Sequence, residues 1–157
     1  MDKQFLTLAL AAVLSVLLVI ATITDIRSRI ISNWLNIAVA ALAPLFWFAN
    51  GLSFWPDMLI QVALAGVIFA VFAAMFAAGM MGGGDVKLLA ALALWFPWQS
   101  MMTLLLIMAI LGGVVTLITV AHHNLGRRVG RPEIPYGVAI SLAGLWVVGE
   151  RYFNHFT

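Results

Sequence analysis

The chain contains no cysteine among its 157 residues, and only 9% of its residues are charged. The absence of cysteine excludes disulfide bonds, thiol catalysis and zinc sites built on cysteine. The eight basic and six acidic residues leave a net charge of +2, which is far from the strongly basic surface typical of nucleic-acid-binding proteins. We therefore expect no nucleic-acid partner.

Apolar residues dominate instead, at 64% of the chain with a mean hydropathy of +1.10, well outside the balance of soluble domains. Apolar runs of bilayer-spanning length recur along the chain and leave no polar region large enough for a second domain. The sequence therefore predicts an all-α, polytopic protein of the lipid bilayer, with residues 1–157 as a single transmembrane domain. The six predicted segments cover residues 5–24, 33–49, 57–78, 86–97, 99–121 and 134–150.

The basic residues predict the orientation of these segments, because Lys and Arg accumulate in cytoplasmic loops. The first, third and fifth loops hold Arg27, Arg29, Lys87, Arg127, Arg128 and Arg131. The remaining loops and the two ends hold only Lys3 and Arg151, so both termini are predicted to lie outside the cytoplasm. Two segments separate Asp25 from Asp85, and an even number of crossings predicts that both aspartates lie at the cytoplasmic face.

The fourth segment is short, since about 12 residues at ~1.5 Å each cover only part of a hydrocarbon core ~30 Å thick. If Trp95, Pro97 and Trp98 mark the outer interface, the end that lies inside the membrane carries Asp85. The glycines of Gly82–Gly84 are poor helix formers. We expect them to end the third segment with an open or positive-φ backbone.

Two of the acidic residues need a physical reason, because an aspartate at mid-bilayer costs ~3 kcal/mol. Asp25 continues the apolar run LLVIATIT, and Asp85 lies where the short segment begins. Two carboxylates on one face repel, so one keeps its proton near neutral pH while the other ionises, as in aspartic proteases. The other acids lie at predicted ends or loops: Asp2, Asp57, Glu133 and Glu150.

The residues alone leave other roles open for this pair. Asp25 would also pair with a neighbouring arginine, and Asp85 would also cap the helix that follows it. A small proton-coupled transporter would use the same two acids as a relay, and a non-catalytic assembly subunit would need neither. His122 and His123 are adjacent and point about 100° apart on a helix, so we expect no metal site and no cofactor.

Three stretches resemble one known family. GGGD, Gly82–Asp85, resembles the G-x-G-D motif of intramembrane aspartyl proteases, in the version found in type IV prepilin peptidases. DIRSRIISNWLN, Asp25–Asn36, is similar to the region of that family's first aspartate, and IPYGVAISLAGL, Ile134–Leu145, is similar to its Pro-aromatic-Gly segment. The three matches keep the family's order and span nearly the whole chain.

The resemblance implies a six-helix aspartyl endopeptidase of the bacterial inner membrane. It would remove the short basic leader from type IV (Flp-like) prepilins or related pseudopilins on the cytoplasmic side. By the same resemblance, Asp25 and Asp85 are the catalytic pair, and Gly82 and Gly84 shape the active-site loop. Residues expected to border the site are Lys87, Pro135, Tyr136 and Gly137. Lys87 is either a positive-inside anchor or a group that favours the ionised form of a nearby acid.

The chain departs from the family pattern in two places. Ile31, Ser32 and Asn33 stand where many relatives have Ile-Pro-Asn, so the start of the second segment lacks the turn that proline would enforce. Larger relatives also carry a cytoplasmic region with paired cysteines that is associated with methylation of the new N-terminus. We expect peptidase activity without methyl transfer, as in the compact members associated with tight-adherence pili.

Overall fold

The computed structural model describes residues 2–125 and 134–152. These residues form six α-helices and contain no β-strand. The helices are α1 (Lys3–Ser28), α2 (Asn33–Ala49), α3 (Leu59–Ala77), α4 (Gly83–Ala93), α5 (Trp98–Leu125) and α6 (Tyr136–Tyr152). The prediction of an all-α membrane protein is confirmed, and each predicted segment agrees with one helix to within four residues at either end.

Three helical stretches are long and apolar enough to cross a bilayer. They are Lys3–Ser28, Phe54–Ala77 and Trp98–His122, the second of which includes the turn before α3. Helices α2 and α6 have 17 residues each and α4 has 11, so α4 covers about 16 Å at ~1.5 Å per residue. That all six helices cross the membrane therefore stays a prediction.

Helix α4 lies at the centre of the bundle. It packs against α2, α3 and α6, while α1 packs against α2 and α6, and α5 packs against α6. Leu88, Leu89 and Leu92 of α4 are completely buried, as expected for a helix surrounded by other helices. Asp85, on the same helix, therefore lies inside protein and not against lipid.

The C-terminal end of α4 is closed by two side chains from other helices. The side-chain amide of Gln61 donates to the carbonyl oxygens of Ala93, Leu94 and Phe96 at 3.4, 3.2 and 3.0 Å. The indole N–H of Trp47 donates to the Leu94 oxygen at 2.7 Å. The last carbonyls of a helix have no partner within it, and lipid supplies none. Gln61 and Trp47 therefore allow a short helix to end inside the bundle.

The expectation that Trp95 marks the lipid interface is wrong. Its side chain is 2% exposed, its indole N–H donates to the Val39 carbonyl at 2.8 Å, and its ring centroid lies 4.7 Å from that of Phe46. An indole in an apolar interior needs an acceptor for its N–H, and the backbone of α2 supplies it. Trp98, in contrast, is 60% exposed.

The expectation of an open or positive-φ backbone over Gly82–Gly84 holds only for Gly82, which is extended, and is wrong for Gly83 and Gly84, which are helical. Helix α3 ends at Ala77, and the positive φ of +71° belongs to Gly79. Gly82 has an extended backbone and precedes α4, whereas Gly84 lies in the first helical turn. The left-handed conformation is needed only once to reverse the chain, so the glycine run has another purpose, described below.

Replacement of Gln61 by leucine is predicted to destabilise the bundle, because three carbonyl oxygens at the end of α4 lose a hydrogen-bond donor. The expected loss is about 1–3 kcal/mol of unfolding free energy, measured as a lower thermal transition in detergent. Gln99→Leu is the matched control, because the Gln99 side chain is exposed at the start of α5. Equal effects of the two substitutions would contradict this account.

Candidate active site

Asp25 lies in the last turn of α1 and is 3% exposed. Its Oδ2 accepts a hydrogen bond from the backbone N–H of Val138 at 2.9 Å, and the backbone amide of Gly137 adds another. The first N–H groups of a helix have no partner within it, so the start of α6 provides donors that lipid cannot. Arg29 lies within electrostatic range of the same carboxyl group.

Asp85 lies in the first turn of α4 and is 8% exposed. Its carboxyl group folds back onto Gly82, whose backbone amide hydrogen-bonds to it. The Asp85 carboxyl group is also within electrostatic range of Asp25. The structure thus brings the two predicted acids together at one end of the bundle, although they are 60 positions apart in the chain.

The glycines near the aspartates permit close contact between helices. A Cβ atom on Gly137 would lie 2.8 Å from Cγ of Asp25 and 2.6 Å from Cδ1 of Ile31. A Cβ on Gly84 would lie 3.0 Å from the Ile31 carbonyl oxygen, and one on Gly82 would lie 2.9 Å from Oδ2 of Asp85. Gly137 therefore lets α6 approach the end of α1, Gly84 lets α4 approach Ile31 in the α1–α2 connection, and Gly82 leaves room for the Asp85 carboxyl group. Gly84 acts from a helix and not from a loop.

The other residues predicted to border the site lie around it. Lys87 donates from Nζ to Oδ1 of Asn33 at 2.8 Å, linking α4 to the start of α2. The Pro135 carbonyl accepts from the Val138 N–H at 3.3 Å, the same N–H that contacts Asp25. The Tyr136 ring lies 3.7 Å from the point where a Cβ atom on Gly112 would be, so the ring packs against α5. Among the residues predicted to border the site, Gly137 lies directly against Asp25, since a Cβ atom added to it would overlap the carboxyl group.

Sequence reasoning did not single out Asn36 as a site residue. Its side chain is 5% exposed, and its Nδ2 donates to the Gly84 carbonyl at 3.2 Å. Among the described residues, its Oδ1 is a buried acceptor that has no hydrogen-bond partner. The sequence feature that could have identified Asn36 is its amide side chain within the apolar second segment, because a buried polar group needs hydrogen-bond partners.

The basic residues at the aspartate end of the described chain are Arg27, Arg29 and Lys87. Arg127, Arg128, Arg131 and Glu133 lie outside the described residues, as do the side chain of His123 and the whole of His155. His122 is exposed on α5. Residues 2–125 and 134–152 contain no group of three or more possible metal ligands from His, Asp and Glu.

Comparison with known proteins adds a family to this geometry. The sequence model of the type IV leader peptidase family matches residues 12–117, a stretch that includes both aspartates. The chain belongs to the type IV leader peptidase family. No solved structure matches the chain.

Individual relatives of this family cover more of the chain. It is 33% identical over 149 residues to a prepilin leader peptidase/N-methyltransferase of Pectobacterium carotovorum subsp. carotovorum, across 92% of this chain and 52% of the relative. A protein of the same description from Aeromonas hydrophila is 30% identical over 144 residues, across 87% of this chain and 47% of the relative. The chain thus spans about half the length of these relatives.

Replacement of Gly137 by alanine is predicted to destabilise the protein, because the new methyl group would overlap Asp25 and Ile31. We expect a loss of about 1–3 kcal/mol, measured by thermal unfolding in detergent. Gly149→Ala on the same helix is the control, because its Cβ position has no atom within 4 Å. That substitution should stabilise by about 0.5–1 kcal/mol. Changes of the same sign in both variants would contradict the close-contact role of Gly137.

Proposed function

We propose that this protein is an intramembrane aspartyl endopeptidase that removes the leader peptide from type IV (Flp-like) prepilins or related pseudopilins. Membership of the type IV leader peptidase family supports the substrate class. The observation that carries the aspartyl mechanism is the pair of buried carboxyl groups, Asp25 and Asp85, within electrostatic range of each other at one end of the bundle.

A purely structural role explains this pair poorly. Each carboxyl group in an apolar bundle carries a desolvation cost, and two of them at one place repel each other. Each carboxyl group contacts backbone N–H groups at a helix start, Asp85 at Gly82 and Asp25 at the start of α6. Capping alone does not require the two acids to lie within electrostatic range of each other. Chemistry that needs both an acid and a base in one site accounts for both residues.

In the proposed reaction, one carboxylate takes a proton from a water molecule while the water oxygen attacks the scissile carbonyl carbon. The partner, as a carboxylic acid, gives its proton to the carbonyl oxygen. The tetrahedral intermediate then collapses, the C–N bond breaks, and the leaving nitrogen takes a proton from the pair. The backbone amides of Gly137 and Val138 hold Asp25 in place before substrate binds, so no reorganisation is needed there.

The same proposal includes an orientation in the bacterial inner membrane. Arg27, Arg29 and Lys87 lie at the aspartate end, and basic residues favour the cytoplasmic side. The site would therefore open to the cytoplasm, where water reaches the scissile bond, and both termini would lie outside. Methyl transfer, which the names of the relatives include, is not part of the proposal.

The catalytic proposal predicts that Asp25→Asn and Asp85→Asn each abolish leader removal, because neither acid nor base can be supplied by an amide. The assay is co-expression with a candidate prepilin, followed by the mass of the pilin product. Asp57→Asn is the matched control, because that carboxyl group accepts hydrogen bonds from Ser53 at the other end of the bundle. It should leave cleavage unchanged.

Cleavage that persists in either aspartate variant would contradict the pair. Absence of cleavage for every candidate prepilin, together with proton flux in vesicles that depends on Asp25 and Asp85, would favour the proton-coupled transporter.

The orientation predicts which engineered cysteines react with a reagent added on each side of the membrane. Because the native chain contains no cysteine, it contributes no background labelling. Ser28→Cys, exposed at the aspartate end, should react with an impermeant maleimide in inside-out vesicles only. Ser53→Cys, exposed before α3, should react in right-side-out vesicles only. The reverse pattern would place the aspartates on the outer face.

A further inference from the structure

Two hydrogen bonds join the first turn of α2 to the first turn of α4, and we call them the α2–α4 clamp. The buried Asn36 side chain donates from Nδ2 to the Gly84 carbonyl at 3.2 Å. Lys87 donates from Nζ to Oδ1 of Asn33 at 2.8 Å, at the exposed rim. Each helix contributes two residues that are three positions apart and so lie on one face. Gly84 and Lys87 stand on either side of Asp85 in the chain, so the clamp holds the turn that carries this acid.

The clamp and the Asp85 carboxyl group lie on different faces of α4. Successive residues of an α-helix point about 100° apart, so Asp85 points away from the face shared by Gly84 and Lys87. Leu92 lies two turns after Asp85 on the same face, and its Cδ1 is 3.5 Å from the point where a Cβ atom on Gly144 would be. Helix α4 therefore presents one face to α2 through the clamp and its aspartate face to α6 and the end of α1.

We propose that the α2–α4 clamp orients Asp85 toward Asp25. Asn36 and Lys87 are then positioning residues, because they act through the first turn of α4 and do not touch the reacting atoms. A rotation of α4 about its axis would carry Asp85 away from Asp25. Apolar packing opposes such a rotation weakly because it is non-directional, whereas hydrogen bonds weaken steeply when their angles change. The inference rests on the proposed peptidase function and extends it by two residues.

The chemistry of Asn36 separates a positioning role from a stabilising one. A carbonyl in the first turn of a helix accepts from the N–H four residues later, so the Asn36 bond is an additional one to the Gly84 oxygen. Oδ1 of Asn36 is buried and has no hydrogen-bond partner among the described residues, which costs stability. Leucine has nearly the same shape without this oxygen. The direction of one hydrogen bond therefore explains the amide better than stability does.

Cleavage kinetics test the clamp, with the full chain in detergent and a purified prepilin as substrate. Asn36→Leu should lower kcat by about tenfold or more with KM unchanged, since a misplacement of ~1 Å costs up to about 10²-fold in rate. Its thermal transition should not fall, because the unpaired buried oxygen is removed.

Asn50→Leu is the matched control, because it is the same substitution on the same helix. Asn50 donates from Nδ2 to the Phe46 carbonyl at 2.7 Å, at the end of α2 away from the aspartates. Loss of that bond should lower the thermal transition and leave kcat unchanged. A merely structural role of Asn36 predicts the same result for both variants, with a lower thermal transition and no change in kcat.

Three further variants separate the contact of Lys87 from its charge. Asn33→Ala removes the contact and keeps the charge, whereas Lys87→Met removes both. We expect these two variants to lower kcat by the same factor and their combination to lower it no further. Lys87→Arg keeps a donor and should rescue the loss. A loss confined to Lys87→Met would assign the effect to charge and overturn the positioning role of Lys87.

The clamp and the peptidase fail in different ways. Native kcat in Asn36→Leu, alongside inactive Asp25→Asn and Asp85→Asn, would overturn the clamp and leave the peptidase standing. If the native protein cleaves no prepilin, the peptidase fails, and labelling of Asp85 by dicyclohexylcarbodiimide, a membrane-permeant carboxyl reagent, tests the clamp without catalysis. Asp85 is 8% exposed, so labelling should rise in Asn36→Leu and not in Asn50→Leu. Equal labelling of the two variants would overturn the clamp.

Discussion

The hydrogen bonds from the start of α6 to the Asp25 carboxyl group are the contact on which the aspartate end of the bundle depends. An acid on an apolar helix needs donors, and neither lipid nor aliphatic side chains supply them. Backbone N–H groups at a helix start do so without a further polar side chain. The contact is possible only because Gly137 has no side chain to occupy the space taken by Asp25 and Ile31.

The central helix α4 poses the same problem at its C-terminal end, which stops inside protein, while its start carries the second acid. At its start, Asn36 binds the Gly84 carbonyl and Asp85 folds back onto Gly82. At its end, Gln61 and Trp47 supply donors to the last carbonyls. The chain has few polar side chains, and several of them bind backbone groups at the two ends of α4. These contacts fix the position of Asp85 within the bundle.

The sequence by itself determined the membrane class, the six helices and the likeness of three stretches to one family, because helix formation in lipid follows from runs of apolar residues. Charge and parity also predicted that Asp25 and Asp85 share one face. The tertiary structure decided what local patterns do not contain. Trp95 turned inward to reach the Val39 carbonyl, Gly79 and not the glycine run made the turn, and Asn36 joined the site. These outcomes depend on which backbone groups of distant segments meet, and that is settled only when the helices pack.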